Sequence, residues 1–160
     1  MISIPIVTTR FNNDTWRENC IYKEKLNIQG CLYCSPQQLS SKIHPNSPIF
    51  VVEMNNSTNQ IQGIGFISNK VQFDKYYKVY EIGNYNRYTY TSKYRLDRAD
   101  LLEKSPNLVT IFDYILFKEK THLKRGGGMT KIPEKLLRHQ KCCEIDIVKE
   151  LKALFYQHFR

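Results

Sequence analysis

Apolar and polar positions alternate from Ile2 to Thr9, largely on β-branched side chains, and that period predicts a strand. Asn12-Asn13-Asp14 then offers helix-capping side chains ahead of a run to Lys25, in which Trp16, Cys20 and Lys23 recur at helical spacing. Gly30 to Cys34 is a short apolar stretch that predicts a second strand. Ser35-Pro36 predicts a helical turn reaching Ile43, since proline suits a first helical position. The clearest local signal is a hairpin. Ile49 to Met54 is one strand, Asn55 to Asn59 a polar turn, and Ile61 to Ser68 the return strand, with Gly63 and Gly65 inside it. Glycine within a strand marks a bulge, a bend or a close approach.

Lys75 to Ile82 and Arg87 to Leu96 predict further strands, rich in tyrosine. Asp97 to Leu102 predicts a helical turn. Asn107 to Lys118 carries apolar residues at 108, 109, 111, 112, 115 and 116, a helical face. Gly126-Gly127-Gly128 breaks the pattern as a loop. Glu134 to Lys141 predicts a short helix after Ile132-Pro133. Asp146 to Phe159 predicts an amphipathic helix with Ile147, Leu151, Leu154 and Phe155 on one side. Strands and helices mix without repeats or linkers, so the pattern predicts one α+β domain spanning residues 1–160.

Composition narrows the class. With 160 residues, 41% hydrophobic and 24% charged, the chain can bury a core without a metal or disulfide. Its five cysteines, an odd number with Cys142 and Cys143 adjacent, read as free thiols of a reducing compartment, cytoplasm or nucleus. Met1 to Arg10 lacks the charged start and apolar run of a secretory leader, and no stretch is apolar enough to span a membrane. Two alanines against twelve asparagines, sixteen isoleucines and sixteen lysines suggest an A/T-rich genome, viral or cellular.

Charge changes the picture most. The formal net charge is +9, and its excess lies in two stretches. Residues 75–98 balance to +4 and residues 118–142 to +6, while the remainder balances to −1. Such clustering is the electrostatic footprint of a nucleic-acid binder; the bland alternative is a solvated lysine-rich surface. The phosphate-binding candidates are Arg87, Lys93, Arg95, Arg98, Lys118, Lys120, Lys124, Arg125 and Lys131. Seven tyrosines fall between Tyr76 and Tyr94, interleaved with these cations. Tyr88 and Tyr90 with Trp16 and Tyr33 are candidates for a base pocket, because bases stack on aromatic rings; core packing is the competing role. The glycine triplet beside Lys124 and Arg125 could cradle phosphate through backbone N–H groups, although the spacing is not that of a P-loop.

Other chemistry is less marked. Cys31-x2-Cys34 with His139-x2-Cys142 would make a Cys3His zinc set; buried apolar thiols are the alternative, and no cofactor is expected. His122 and Lys124, with a tyrosine, are candidates for acid–base cleavage of RNA, a small ribonuclease being the alternative to a binding module. A third possibility is a protein partner docking on the amphipathic helix within residues 146–159.

The run Pro48-Ile49-Phe50-Val51-Val52-Glu53-Met54, followed by Gln60-Ile61-Gln62-Gly63-Ile64-Gly65-Phe66-Ile67, resembles the PUA-like superfamily, which includes ASCH, EVE and YTH domains. Tyr33-Cys34-Ser35-Pro36 also suits it, and the likeness covers residues 30 to 68. The resemblance implies a small twisted β-barrel flanked by helices. It also implies binding of RNA or modified bases, and in some ASCH members ribonuclease activity. The basic stretch 118–142 is not part of that pattern.

Overall fold

The alternating start of the chain becomes β1 (Ile6–Phe11), and the asparagine run caps α1 (Asn13–Lys25). The structure is a computed structural model that describes residues 3–118, 123–125, 127–139, 142 and 145–160. Asn12 Oδ1 accepts from the Thr15 backbone N–H at 2.8 Å while Thr15 Oγ1 accepts from the Asn12 N–H at 3.0 Å, a reciprocal capping box. β2 (Cys31–Ser35) follows, then the hairpin β3 (Pro48–Asn55) and β4 (Gln60–Ser68). β5 (Tyr88–Ser92) and β6 (Tyr94–Asp97) precede α2 (Arg98–Lys104) and α3 (Pro106–Phe117). β7 (Thr130–Lys131), α4 (Glu134–Leu137) and α5 (Ile147–His158) complete the chain.

The strands form a mixed five-stranded sheet in the order β6-β4-β3-β1-β7, with β1 parallel to β3, and a two-stranded sheet of β2 and β5. These ladders do not close into a barrel among the described residues. β3 is covered on both faces, which explains its unbroken apolar run. Phe50, Val52 and Met54 face α2, α3 and α5. Ile49 and Val51 face the small sheet, together with Val7, Phe11 and Ile67. Each side chain so buried contributes about 1.5–3 kcal/mol relative to exposure.

Three expectations for local structure fail. Lys75 to Ile82 forms no strand, because side-chain bonds replace a ladder: Asn86 Oδ1 accepts from the Tyr80 N–H at 2.9 Å and its Nδ2 donates to Tyr80 O at 2.8 Å. Residues 36–43 form turns rather than a helix, because the Ser35 hydroxyl closes a tight local turn on Gln37. The long strand from Arg87 to Leu96 is broken at Lys93 into β5 and β6, which belong to different sheets. Among the described residues no helix is long and apolar enough to cross a membrane.

The amphipathic helix α5 is an interior element. Leu151, Leu154 and Phe155 are buried, and Phe155 packs on Phe50 at 5.5 Å and Phe66 at 6.0 Å between ring centroids. The protein-docking face expected on residues 146–159 is therefore spent on the sheet.

Candidate functional site

On the face of the large sheet covered by β2, a charged pair crosses a lane of glycine. Glu53 on β3 pairs in register with Gly63 on β4, and Gly65 pairs with Arg95 on β6. With no side chain at Gly63 or Gly65 of the intervening strand, Arg95 reaches across to Glu53. Its Nε donates to Oε2 at 2.9 Å and its Nη2 to Oε1 at 2.6 Å. Tyr33 Oη comes from β2 and donates to Glu53 Oε2 at 2.6 Å. Only 2% of the Glu53 side chain and 13% of the Arg95 side chain are exposed. Burial opposes the charge on Arg95, but the adjacent carboxylate and its hydrogen bonds win and hold its pKa above the usual guanidinium value. Burial and the Glu53 charge keep the Tyr33 hydroxyl protonated, so it remains a donor.

The glycines are thus required for close approach. A Cβ at Gly65 would overlap Tyr33 Oη and stand 2.9 Å from Cys31 Sγ. Gly65→Ala is expected to cost about 1–3 kcal/mol in urea unfolding, the usual penalty of overpacking. Gly83→Ala, whose Cβ would meet nothing nearer than 3.9 Å, is expected to change stability by less than about 0.5 kcal/mol. Equal effects at the two sites would contradict this account.

Several expected site residues are consumed in this way. Arg95 is locked on Glu53, and Arg98 is locked on Asp113 at 2.9 Å, so neither guanidinium faces a phosphate. Tyr33 and Tyr90 are each 1% exposed and offer no ring face to a base; Tyr90 Oη accepts from the Leu39 N–H at 3.1 Å. Trp16 is half-buried between Phe11, edge-on at 5.0 Å, and Arg95 at 5.6 Å. Tyr88 is half-buried with Arg87 over its ring at 5.4 Å. Arg87, Lys93, Lys118, Lys124, Arg125 and Lys131 are exposed cations; Lys120 and His122 lie outside the described residues. The two basic stretches also separate, because β6 and β7 form opposite edges of the sheet.

The zinc set is not assembled. Cys31 and Cys34 belong to the core under β2, whereas Cys142 belongs to the core on the helical face. Desolvation pushes the Cys31 thiol up to about 12 and the Cys34 thiol up to about 11, so both remain protonated at neutral pH. Among the described residues no group of three or more His, Cys, Asp or Glu is placed to hold a metal.

What the fold does assemble is a cavity of about 540 Å³ where β1 runs into α1. Arg10, the last polar residue of β1, shapes it. Its guanidinium donates to Leu123 O at 3.0 Å, Gly127 O at 3.1 Å, Gly128 O at 2.7 Å and Thr130 Oγ1 at 3.0 Å. The glycine loop is therefore strapped down on the cavity. Gly128 has φ +80°, a conformation that favours glycine. Asn56 Nδ2 donates to Lys124 O at 2.9 Å, and Lys124 Nζ to Asn59 Oδ1 at 2.7 Å, clipping the loop to the β3–β4 turn.

The opposite wall comes from the irregular segment after Tyr77. Glu18 on α1 accepts from the Glu81 N–H at 2.7 Å, and Asn19 donates to Tyr80 Oη at 3.1 Å. These bonds present Ile82 and Tyr85 to the cavity, with Tyr85 edge-on to Tyr80 at 6.2 Å. The lining carries Arg10 and Lys124 against Asp14, Glu18 and Glu81, so it is polar without an excess of positive charge.

Two buried polar atoms have no hydrogen-bond partner among the described residues: the donor Arg10 Nε and the acceptor Asn56 Oδ1. Both belong to residues that line this cavity. Such buried unsatisfied groups are rare and costly, and both atoms are closed off from solvent behind the lining. Arg10 carried a legible signal, as a cation ending an apolar strand. Asn56 carried none beyond its place in a turn. Comparison with protein-family models, with curated proteins and with solved structures found no match for this chain.

Proposed function

We propose that the chain binds single-stranded nucleic acid, RNA in the first place, and takes one base into the cavity shaped by Arg10. The observation that carries this reading is the exposed pair Ile82 and Tyr85 lining a cavity of about 540 Å³ whose other walls are mostly polar, among them Arg10, Asn12, Asn56 and Lys124. A nucleobase has the matching chemistry: a planar π face and an edge bearing both donors and acceptors. The volume lies within the usual range of small-ligand sites, about 300–1,000 Å³. Lys124 on the rim and exposed Arg125 next to it are suited to the flanking phosphates.

This reading agrees with the PUA-like resemblance of residues 30–68. The finer fold proposal is that the two sheets are parts of one twisted barrel wall, turned at Lys93. Support comes from the close approach of Gly30 to that corner, where a Cβ would overlap Ser92 O and stand 2.6 Å from Lys93 Cα.

The test is fluorescence anisotropy with a labelled four-nucleotide oligouridylate. With two phosphate contacts, a fourfold rise in salt is expected to weaken binding about sevenfold. Tyr85→Ala is expected to weaken it about 5- to 150-fold, the range of one lost stacking contact of about 1–3 kcal/mol. Affinity that is flat with salt and unchanged in Tyr85→Ala would overturn the proposal.

A further inference from the structure

A second cavity, of about 440 Å³, lies at the other end of the hairpin. Pro48, at the start of β3, and Ser68, at the end of β4, border it, whereas the Arg10 cavity is bordered by Asn56, just past the end of β3. The eight residues of β3, at about 3.3 Å each, separate the two by about 25 Å.

The two cavities differ in charge. The second is lined by Lys70 and Lys93 and by no carboxylate among the described residues. Neither lysine is in an ion pair among the described residues. The remaining lining is uncharged: aromatic, neutral polar, and the aliphatic Pro48 and Ile67. Phe66 and Tyr94 supply rings, and Gln72 and Thr91 supply amide and hydroxyl groups. Lys93 Nζ stands 5.2 Å from the centroid of the Tyr94 ring. Break of the strand at Lys93 is what creates the hollow, since β5 leaves for the small sheet as β6 joins β4. Beyond the Phe66–Tyr94 pair β4 has no partner on that side, so Ile67 and Ser68 border the opening.

Cations without counter-charge beside an aromatic ring suit a phosphate attached to a flat base. We infer that this cavity is a second nucleotide subsite, in which Lys70 and Lys93 hold backbone phosphate. The inference rests on the nucleic-acid reading of the Arg10 cavity and adds a division of labour. The nearly neutral cavity takes a base, and the cationic one holds a phosphate further along the same strand. At roughly 3.4 Å of rise per stacked nucleotide, a gap of about 25 Å corresponds to about seven nucleotides. A four-nucleotide strand fills one cavity; a twelve-nucleotide strand engages both.

The experiment compares four- and twelve-nucleotide oligouridylates by anisotropy on the full chain, the Lys70→Gln/Lys93→Gln double variant and Tyr85→Ala. Both lysines are exposed, so the double variant is expected to fold, which circular dichroism checks. The twelve-mer is expected to lose about tenfold in affinity in the double variant and about 1.4 in salt slope, with the four-mer unchanged. Tyr85→Ala is expected to weaken both. Equal losses for the two lengths in the double variant, or no loss, would overturn the second subsite. A twelve-mer effect of the lysines without any effect of Tyr85→Ala would sink the base cavity and leave the cationic one standing. Absence of binding by either strand would remove both.

Discussion

Arg95→Met is expected to lower the unfolding free energy by about 3–5 kcal/mol, because it strands Glu53 as an uncompensated buried charge. The geometry sets this apart from an ordinary ion pair. Arg95 bonds both carboxylate oxygens of Glu53, Tyr33 adds a third bond, and the carboxylate side chain is 2% exposed. Water cannot replace the lost partner without opening the cover of β2. At about 2–4 °C per kcal/mol for a chain of this size, Tm should fall by roughly 10 °C. Surface pairs behave differently: Arg138–Glu134, with both side chains mostly exposed, should contribute less than about 1 kcal/mol. The informative comparison is the double variant Glu53→Leu/Arg95→Met, which removes both charges. It is expected to recover much of the loss, since the charge left behind, more than the missing attraction, is what destabilises. Urea unfolding of the three variants measures this. A loss under about 1 kcal/mol for Arg95→Met would mean that the site is wetter than the packing implies.

Phe155→Ala is the second large effect, expected at about 3–5 kcal/mol with an unchanged denaturant slope. Phe155 is buried, within 6.0 Å of Phe50, Phe66 and Phe159 between centroids, and the space it fills is bounded by sheet on one side and helix on the other. Neither boundary can collapse freely, which places the cost toward the upper end of the cavity series. Tyr156, the next residue, is 74% exposed, and Tyr156→Ala should stay within about 0.5 kcal/mol. The pair separates two roles for α5. A helix held in reserve for a partner would show small losses at both positions, whereas a core helix shows a large loss at Phe155 alone.

Much of the scaffold was legible before any coordinates. The hairpin at Ile49–Ser68 was legible because a β-branched apolar run, a polar turn and the return strand lie within twenty residues. α1 was legible because Asn12-Asn13-Asp14 offered capping side chains ahead of the run to Lys25, and Asn12 supplies the cap. The site was less legible. The glycine run beside Lys124 was legible as a loop, but the residue that straps it down, Arg10, sits 113 to 120 residues from the groups it binds. The tyrosine belt was visible as a cluster, yet its members part company. Tyr90 is sealed in the core, Tyr94 borders one cavity and Tyr85 the other.

Local chemistry along the chain thus decided the hairpin, the main helices and the overall excess of positive charge, since each depends on side chains a few residues apart. Tertiary packing alone decided which charges and rings reach solvent. Arg95 and Arg98 read as phosphate-binding residues until Glu53 and Asp113, 42 and 15 positions away, claim them. Strand order did the rest, sending β6 and β7 to opposite edges and dividing one basic half-chain between two separate hollows. The physical reason is that exposure and pairing are properties of neighbours in space, and a sheet selects those neighbours by register rather than by distance along the chain.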